Sequence, residues 1–410
     1  MPEPETAMTA TTPVTARQTF GHAMHAHFSL DPAITYLNHG TVGVVARRVQ
    51  LAQQAIRDEI ERQPARFVVR ELADVGEFQL RMPPRMRTAA AAVASFVGVE
   101  AKDLAFVDNA TAGYNAVLRS WPFEKGDEIL ITDHSYGTVG FTAEYVASRT
   151  GARVVTLAMP FPATTPEKVI AAFEAAVTPR TRLAVVDHVT APSALTLPVA
   201  EIAARLRARG VAVLVDGAHA LGALPVDISK LGVDFYTGNL HKWAMAPRPS
   251  AILWAAPARQ KDLHPTAISW GYGKGMSAEF DMLGTREPSM WLAAPEGIEF
   301  MRDLGIDAMR EYNHRTVWEA ARSLTERWGT QIPAPESMYG SMVTIPLPER
   351  FGTTREAASR LKDVLLFEEQ IETQPNFIKG RIYIRLAAQV YNDTSDFEKL
   401  RVAVEKRANG

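Results

Sequence analysis

Val211-Ala-Val-Leu-Val-Asp-Gly-Ala-His219 is followed by Asp234-Phe-Tyr-Thr-Gly-Asn-Leu-His-Lys-Trp243, and these two stretches decide the reading of the chain. The first is an apolar, β-branched run that stops at Asp216, the pattern of a buried strand delivering a carboxylate to its end. The second is an Asp-Phe-Tyr strand that gives way to a Gly-Asn turn. Lys242 then follows between His241 and Trp243.

The pattern continues on both sides. Short strands are expected at Leu104–Val107, Glu128–Thr132, Arg153–Leu157, Leu183–His188 and Val211–Asp216. Helices are expected at Val44–Glu61, Arg87–Val97, Thr111–Ser120, Val139–Ser148, Pro166–Ala176 and Val199–Ala208. Such alternation predicts an α/β fold, with a mostly parallel sheet covered by helices. Ligands of such sheets sit beyond the carboxyl ends of the strands. Asn109, His134, His188 and Asp216 all fall at or just past those ends.

Beyond about Pro295 the pattern changes to long helical stretches, Glu296–Met309 and Thr316–Trp328. Ser341–Pro346 and Arg381–Leu386 read as strands, and Thr354–Leu365 and Thr394–Lys406 as helices. A loop is marked by Pro333 to Pro335. The expectation is a large domain over 21–294 and a smaller α+β domain over 295–410, with 21–40 a segment able to pack on the small one. Residues 1–20, rich in Ala, Thr and Pro without an apolar core, read as a disordered leader and not a signal peptide.

Composition fits that organisation. The 410 residues carry a formal charge of −2 and are 47% hydrophobic. That is ample material for a core, with no basic excess to suggest nucleic acid and no apolar run long enough for a membrane. A cytoplasmic location is the default expectation. Cysteine is absent, which excludes disulfides, thiolate metal sites and a cysteine nucleophile.

A strand-end carboxylate and a Lys in a semi-apolar loop suit pyridoxal 5'-phosphate (PLP). The amine forms an imine with the aldehyde, and the carboxylate keeps the pyridine nitrogen protonated as an electron sink. The two opening stretches resemble the class V (cysteine-desulfurase-like) PLP-dependent aminotransferase family, in particular its isopenicillin N epimerase-like branch. The resemblance runs from about Tyr36 to Asn392. It implies a fold type I enzyme with a seven-stranded-type sheet. The missing cysteine argues against cysteine desulfurase activity itself, which in this family needs a persulfide-forming Cys.

The resemblance also implies roles. Lys242 and Asp216 are the catalytic pair. Asp108-Asn-Ala-Thr-Ala-Gly-Tyr-Asn115 resembles the family's phosphate turn, with Ala110 and Thr111 in the contacting places at a helix N-terminus. Asn239 stands where many relatives carry Ser, and His241 adds a further donor. In Thr132-Asp-His-Ser-Tyr-Gly137, Tyr136 is expected to stack on the ring in preference to His134, and either is the nearest candidate for the second acid on the ring's opposite face that epimerisation requires. His188 and His219 fall near the ring hydroxyl. Thr285, in Gly284-Thr-Arg-Glu-Pro-Ser289, would reach the phosphate of a neighbouring subunit, which implies a homodimer with shared sites. Arg286, Asn38 and His39 are candidate substrate contacts. Arg385, followed by Tyr391-Asn392, suits a substrate carboxylate.

Ordinary structural roles compete with each of these: a surface Lys, a capping Asp, core histidines, a strand Arg paired with an acid. Two other classes compete with the whole. One is a metal-dependent hydrolase using His134, His188, His219, His241 and Asp216, which leaves Lys242 unexplained and has no helical His pair. The other is a PLP-binding protein without turnover, against which Arg385 argues. Within PLP chemistry the leading expectation is epimerisation at an amino-acid Cα in natural-product biosynthesis. Aminotransferase, C–S β-lyase and decarboxylating, O₂-using chemistry stay open.

Overall fold

A computed structural model of the chain describes residues 19–76, 80 and 82–408. Most of the expected leader therefore lies outside the described residues. The strands, in chain order, are β1 Thr35–Tyr36, β2 Leu104–Val107, β3 Glu128–Thr132, β4 Arg153–Leu157, β5 Thr181–Asp187 and β6 Ala212–Asp216. They continue as β7 Phe235–Asn239, β8 Ala251–Ala255, β9 Met342–Pro346, β10 Ile371–Glu372, β11 Gln374–Ile378 and β12 Arg381–Ala387.

Seven strands form one sheet in the order β2-β8-β7-β6-β5-β3-β4. From β7 to β4 all neighbours are parallel, and β8 runs antiparallel to both β2 and β7. This is the mostly parallel α/β sheet that the alternation predicts. Every residue of β2, β3, β6, β7 and β8 is buried, which is why these strands read as apolar runs instead of alternating patterns. The strand β8 was not expected. Ala-Ile-Leu-Trp-Ala is too short and too uniformly apolar for periodicity to separate strand from helix.

The C-terminal part carries a three-stranded antiparallel sheet, β11-β12-β9. One expectation fails here. Glu296–Met309 is not one helix: Ala294–Leu304 ends at Gly305, whose φ of 79° suits a residue without Cβ. A single helix then runs from Ile306 to Trp328, straight through the polar stretch taken as a break. The face of this stretch that packs inward is itself polar, with Asn313 buried against Gln389, so it carries no apolar period to read.

The N-terminal segment is stitched to the C-terminal strands. β1 pairs with β10 in parallel. The Leu37 N–H donates to the Glu372 carbonyl at 2.9 Å, and the Ala387 N–H to the Leu37 carbonyl at 3.1 Å. This brings Asn38 and His39 beside β12, which carries Arg385. Gly43 completes the approach: a Cβ there would lie 2.4 Å from the Lys242 carbonyl oxygen. On the other side, a Cβ on Gly113 would lie 2.0 Å from Thr237 Oγ1. Only glycine lets the helix Ala110–Ser120 seat on β7 and aim its N-terminus at Asn239. Among the described residues, no helix is long and apolar enough to cross a membrane.

Candidate active site

The strands β5, β6 and β7 end at Asp187, Asp216 and Asn239, and all three residues line one cavity of about 210 Å³. Ala110, Thr111, Tyr136, His219, His241 and Lys242 line it too. The cavity thus sits beyond the carboxyl ends of the sheet, where an open parallel sheet leaves polar backbone and side chains facing outward.

At its phosphate-like end, the helix Ala110–Ser120 begins at Asn109, whose Oδ1 accepts the Ala112 N–H at 2.9 Å. The positive end of the helix faces the cavity. Thr111 Oγ1 accepts the Tyr114 hydroxyl at 2.9 Å, and that hydroxyl also meets Thr138. One detail corrects the expectation for Ala110. Its N–H donates to Asn239 Oδ1 at 2.8 Å, so it orients Asn239 and leaves the amide end of that side chain as the donor. His241 is pinned through Nδ1 to the backbone of Ser250 at 3.0 Å.

Lys242 lies half-buried at the cavity floor, with Nζ 3.3 Å from His219 Nε2. Burial, then the nearby Arg385 charge, lowers its amine to about 7, with Asp216 opposing. Asp216 Oδ1 accepts the Ala218 N–H at 2.9 Å, and burial pushes its carboxyl up. Burial also drives His219 well below its ordinary value and His241 to about 4, so both rings are neutral at neutral pH. A lysine near 7 is a nucleophile that an ordinary lysine at about 10.4 is not. Capture of an aldehyde by the cofactor-free protein should therefore accelerate as pH rises through about 7. Stopped-flow binding across pH 5–10, as an experimental range of about five units, checks this; a midpoint near that of free lysine would contradict it.

Several expected residues lie elsewhere. His188 follows Asp187, and successive strand residues face opposite sides. His188 therefore turns away, its Nδ1 2.9 Å from the Tyr236 hydroxyl, and Asp187 takes the cavity face. His134 is buried off the cavity, bonded to Ser193 Oγ at 2.7 Å and edge-on to Phe161. Tyr136, 52% exposed, lines the mouth. His39 does not face the cavity. Its ring bridges the Tyr391 hydroxyl at 2.9 Å and the Lys242 carbonyl at 3.0 Å, so it supports the lysine loop.

Arg385 is fully buried and lowered by that burial to about 10, so it stays cationic. It donates to the Ala191 carbonyl at 2.5 Å, Thr41 Oγ1 at 2.6 Å and Asn38 Oδ1 at 3.2 Å, while its Nε has no partner. Asn38 is therefore an anchor of the arginine. Arg286 lies over the Trp291 ring at 4.1 Å and donates to the Phe280 carbonyl, outside this cavity. Thr285 is exposed and also outside it. The four histidines of the metal reading are tied to separate partners. The one acid–histidine cluster of metal-binding size among the described residues is His22, Asp393 and Asp396.

Comparison with known proteins places this geometry. The family model described as "Aminotransferase class-V" matches residues 45–361. The chain belongs to the class V aminotransferase family. It is 35% identical over 364 residues to a putative L-cysteine desulfhydrase of Oryza sativa subsp. japonica, covering 79% of this chain and 75% of that one. It is 33% identical over 395 residues to isopenicillin N epimerase of Streptomyces clavuligerus, covering 92% and 95%. The fold matches a cysteine desulfurase of Thermococcus onnurineus with a TM-score of 0.78 at 17% identity, covering 97% of this chain and 100% of that one.

Class V enzymes use pyridoxal 5'-phosphate, and the donor set here fits it. A depressed amine and a carboxylate share the cavity floor, a helix N-terminus faces its other end, and His219 Nδ1 is buried without a partner. This class V enzyme has no cysteine to carry a persulfide. Sequence reading missed Asp187, Tyr114 and Thr41; strand geometry puts Asp187 and His188 on opposite faces but does not say which of them faces the site.

Proposed function

We propose that this enzyme removes the Cα proton of a small amino acid and expels a thiol from Cβ, as a C–S lyase acting on a cysteine-type substrate. One observation carries the reading. Lys242 is the amine of the cavity, lowered to about 7, and His134 does not join it as a second internal acid or base. Elimination needs one base; epimerisation needs a proton donor on each side of Cα. The similarity to L-cysteine desulfhydrases supports a thiol as leaving group.

When bound, the cofactor supplies an electron sink that acidifies the bonds at Cα. Asp216 would keep the ring nitrogen charged. The helix N-terminus at Asn109, with Thr111, Asn239 and His241, would hold the phosphate. Tyr136, at the cavity mouth, would shield the cofactor from solvent. Arg385 binds the substrate carboxylate, kept in position by Thr41 and Asn38. Fixing that carboxylate sets which Cα bond lies perpendicular to the ring. Lys242 takes the Cα proton, and His219 at 3.3 Å keeps the amine placed without adding charge.

Purified enzyme given L-cysteine should yield sulfide, pyruvate and ammonia in equal amounts. A D-amino acid carrying solvent deuterium at Cα, without keto acid, would instead establish the epimerase. That second reading is favoured by Tyr136 at the cavity mouth and by the similarity to isopenicillin N epimerase. Arg385→Ala should raise KM roughly 10- to 100-fold, the value of a charge-assisted contact to a carboxylate, with a smaller change in kcat. An unchanged KM would remove Arg385 from substrate binding.

We also propose a homodimer in which the exposed Thr285 completes the partner's phosphate site. Sedimentation should show a dimer. A fully active monomer would contradict this.

A further inference from the structure

Asp187 has no part in the chemistry above, yet it sits in the same cavity. It closes β5 as Asp216 closes β6, and the two are direct partners in the parallel register. Side chains so paired point to the same face, so two carboxyl groups lie side by side, 2% and 3% exposed. Their hydrogen bonds differ. Asp216 accepts a backbone N–H from Ala218. Asp187 accepts the Ser135 hydroxyl at Oδ2, 2.9 Å away, and Ser135 is free to donate because its oxygen accepts the Thr132 N–H.

The surroundings supply too little positive charge for two carboxylates. Lys242, His219 and His241 lie beyond the strand ends, Tyr114 and Tyr136 across the cavity, and His188 and Tyr236 on the strands themselves. The histidines are neutral, and Arg385, though cationic, spends its donors on Asn38, Thr41 and Ala191 and bonds neither carboxyl. The cation acting on Asp216 is Lys242, only part-charged at neutral pH. Two like charges on adjacent strands, each almost fully shielded from solvent, do not both persist.

We propose that Asp187 and Asp216 form a carboxyl pair holding one proton between them, with Asp187 the positioning residue that limits the pair to a single negative charge facing the pyridinium. The clause about the pyridinium rests on the PLP reading; the pair itself does not. Asp187 keeps the proton, since burial and the Asp216 charge both push its carboxyl up, and Asp216 stays ionised through its N–H contact and Lys242.

The sign for stability follows. An unfolded Asp releases its proton above about pH 3.9, while the folded pair retains one. The folded state then binds more protons, so stability falls as pH rises above that value. Asp187→Asn, which cannot ionise, should remove this loss. Thermal unfolding of the full-length cofactor-free enzyme should show the variant gaining on wild type steadily from about pH 5 to about pH 8. A constant offset at every pH, as from a lost hydrogen bond alone, would overturn the pair. Adding PLP should shrink the pH-dependent gap, because a cation then faces the pair. A gap unchanged by PLP would overturn the role toward the pyridinium while leaving the pair standing. Infrared spectroscopy needs no variant at Asp187. Wild type at neutral pH should show a buried carboxylic-acid C=O band that shifts in Ser135→Ala, which deletes the donor to Asp187. No band responsive to Ser135→Ala would refute the shared proton.

Discussion

Replacing Lys242 by Ala is expected to reduce turnover by at least about a thousandfold. On the proposed assignment, the substitution removes the cofactor's covalent anchor and the base for the Cα proton in one step. Among the described residues that line the cavity none other offers an amine: His219 and His241 are neutral rings in fixed contacts. The loop itself should survive. His39 bonds the carbonyl of residue 242 and not its side chain, and Gly43 packs against the same backbone. Circular dichroism of the variant should therefore match wild type while steady-state assays show the loss. Turnover within about tenfold of wild type would contradict the assignment.

Asp216→Asn should have the second largest effect, a fall in kcat on the order of a thousandfold with the cofactor still bound. The amide oxygen can still accept the Ala218 N–H, so the turn after β6 keeps its shape. It cannot hold a pyridine nitrogen protonated, so the substrate carbanion loses its sink. Binding persists because the phosphate end and Lys242 are anchored elsewhere. Parallel measurement of kcat and cofactor content separates the two. Equal loss of both would make Asp216 an anchor only.

The parts of the site legible in the sequence are those carried by one element. Val211 to Asp216 ends a uniformly buried strand, and Lys242 follows the turn after the next one, so both could be read locally. The choice between Asp187 and His188 failed because β5 is buried on both faces from Leu183 to Asp187 and shows no hydrophobic alternation there. Facing is then set by register with β6, which is a tertiary fact. His39 and Asn38 were read as substrate contacts because the resemblance places their segment near the substrate. Their partners, Lys242, Tyr391 and Arg385, arrive from more than 200 residues away in the chain. The helix Ile306–Trp328 was split because its polar middle masked a continuous backbone, while Gly305 supplied the real break.

The most direct test of the central claim is borohydride reduction of the holoenzyme followed by peptide mapping. It should fix the cofactor to Lys242, in the peptide that also carries His241 and Trp243. Label on any other lysine, or none, would contradict the account.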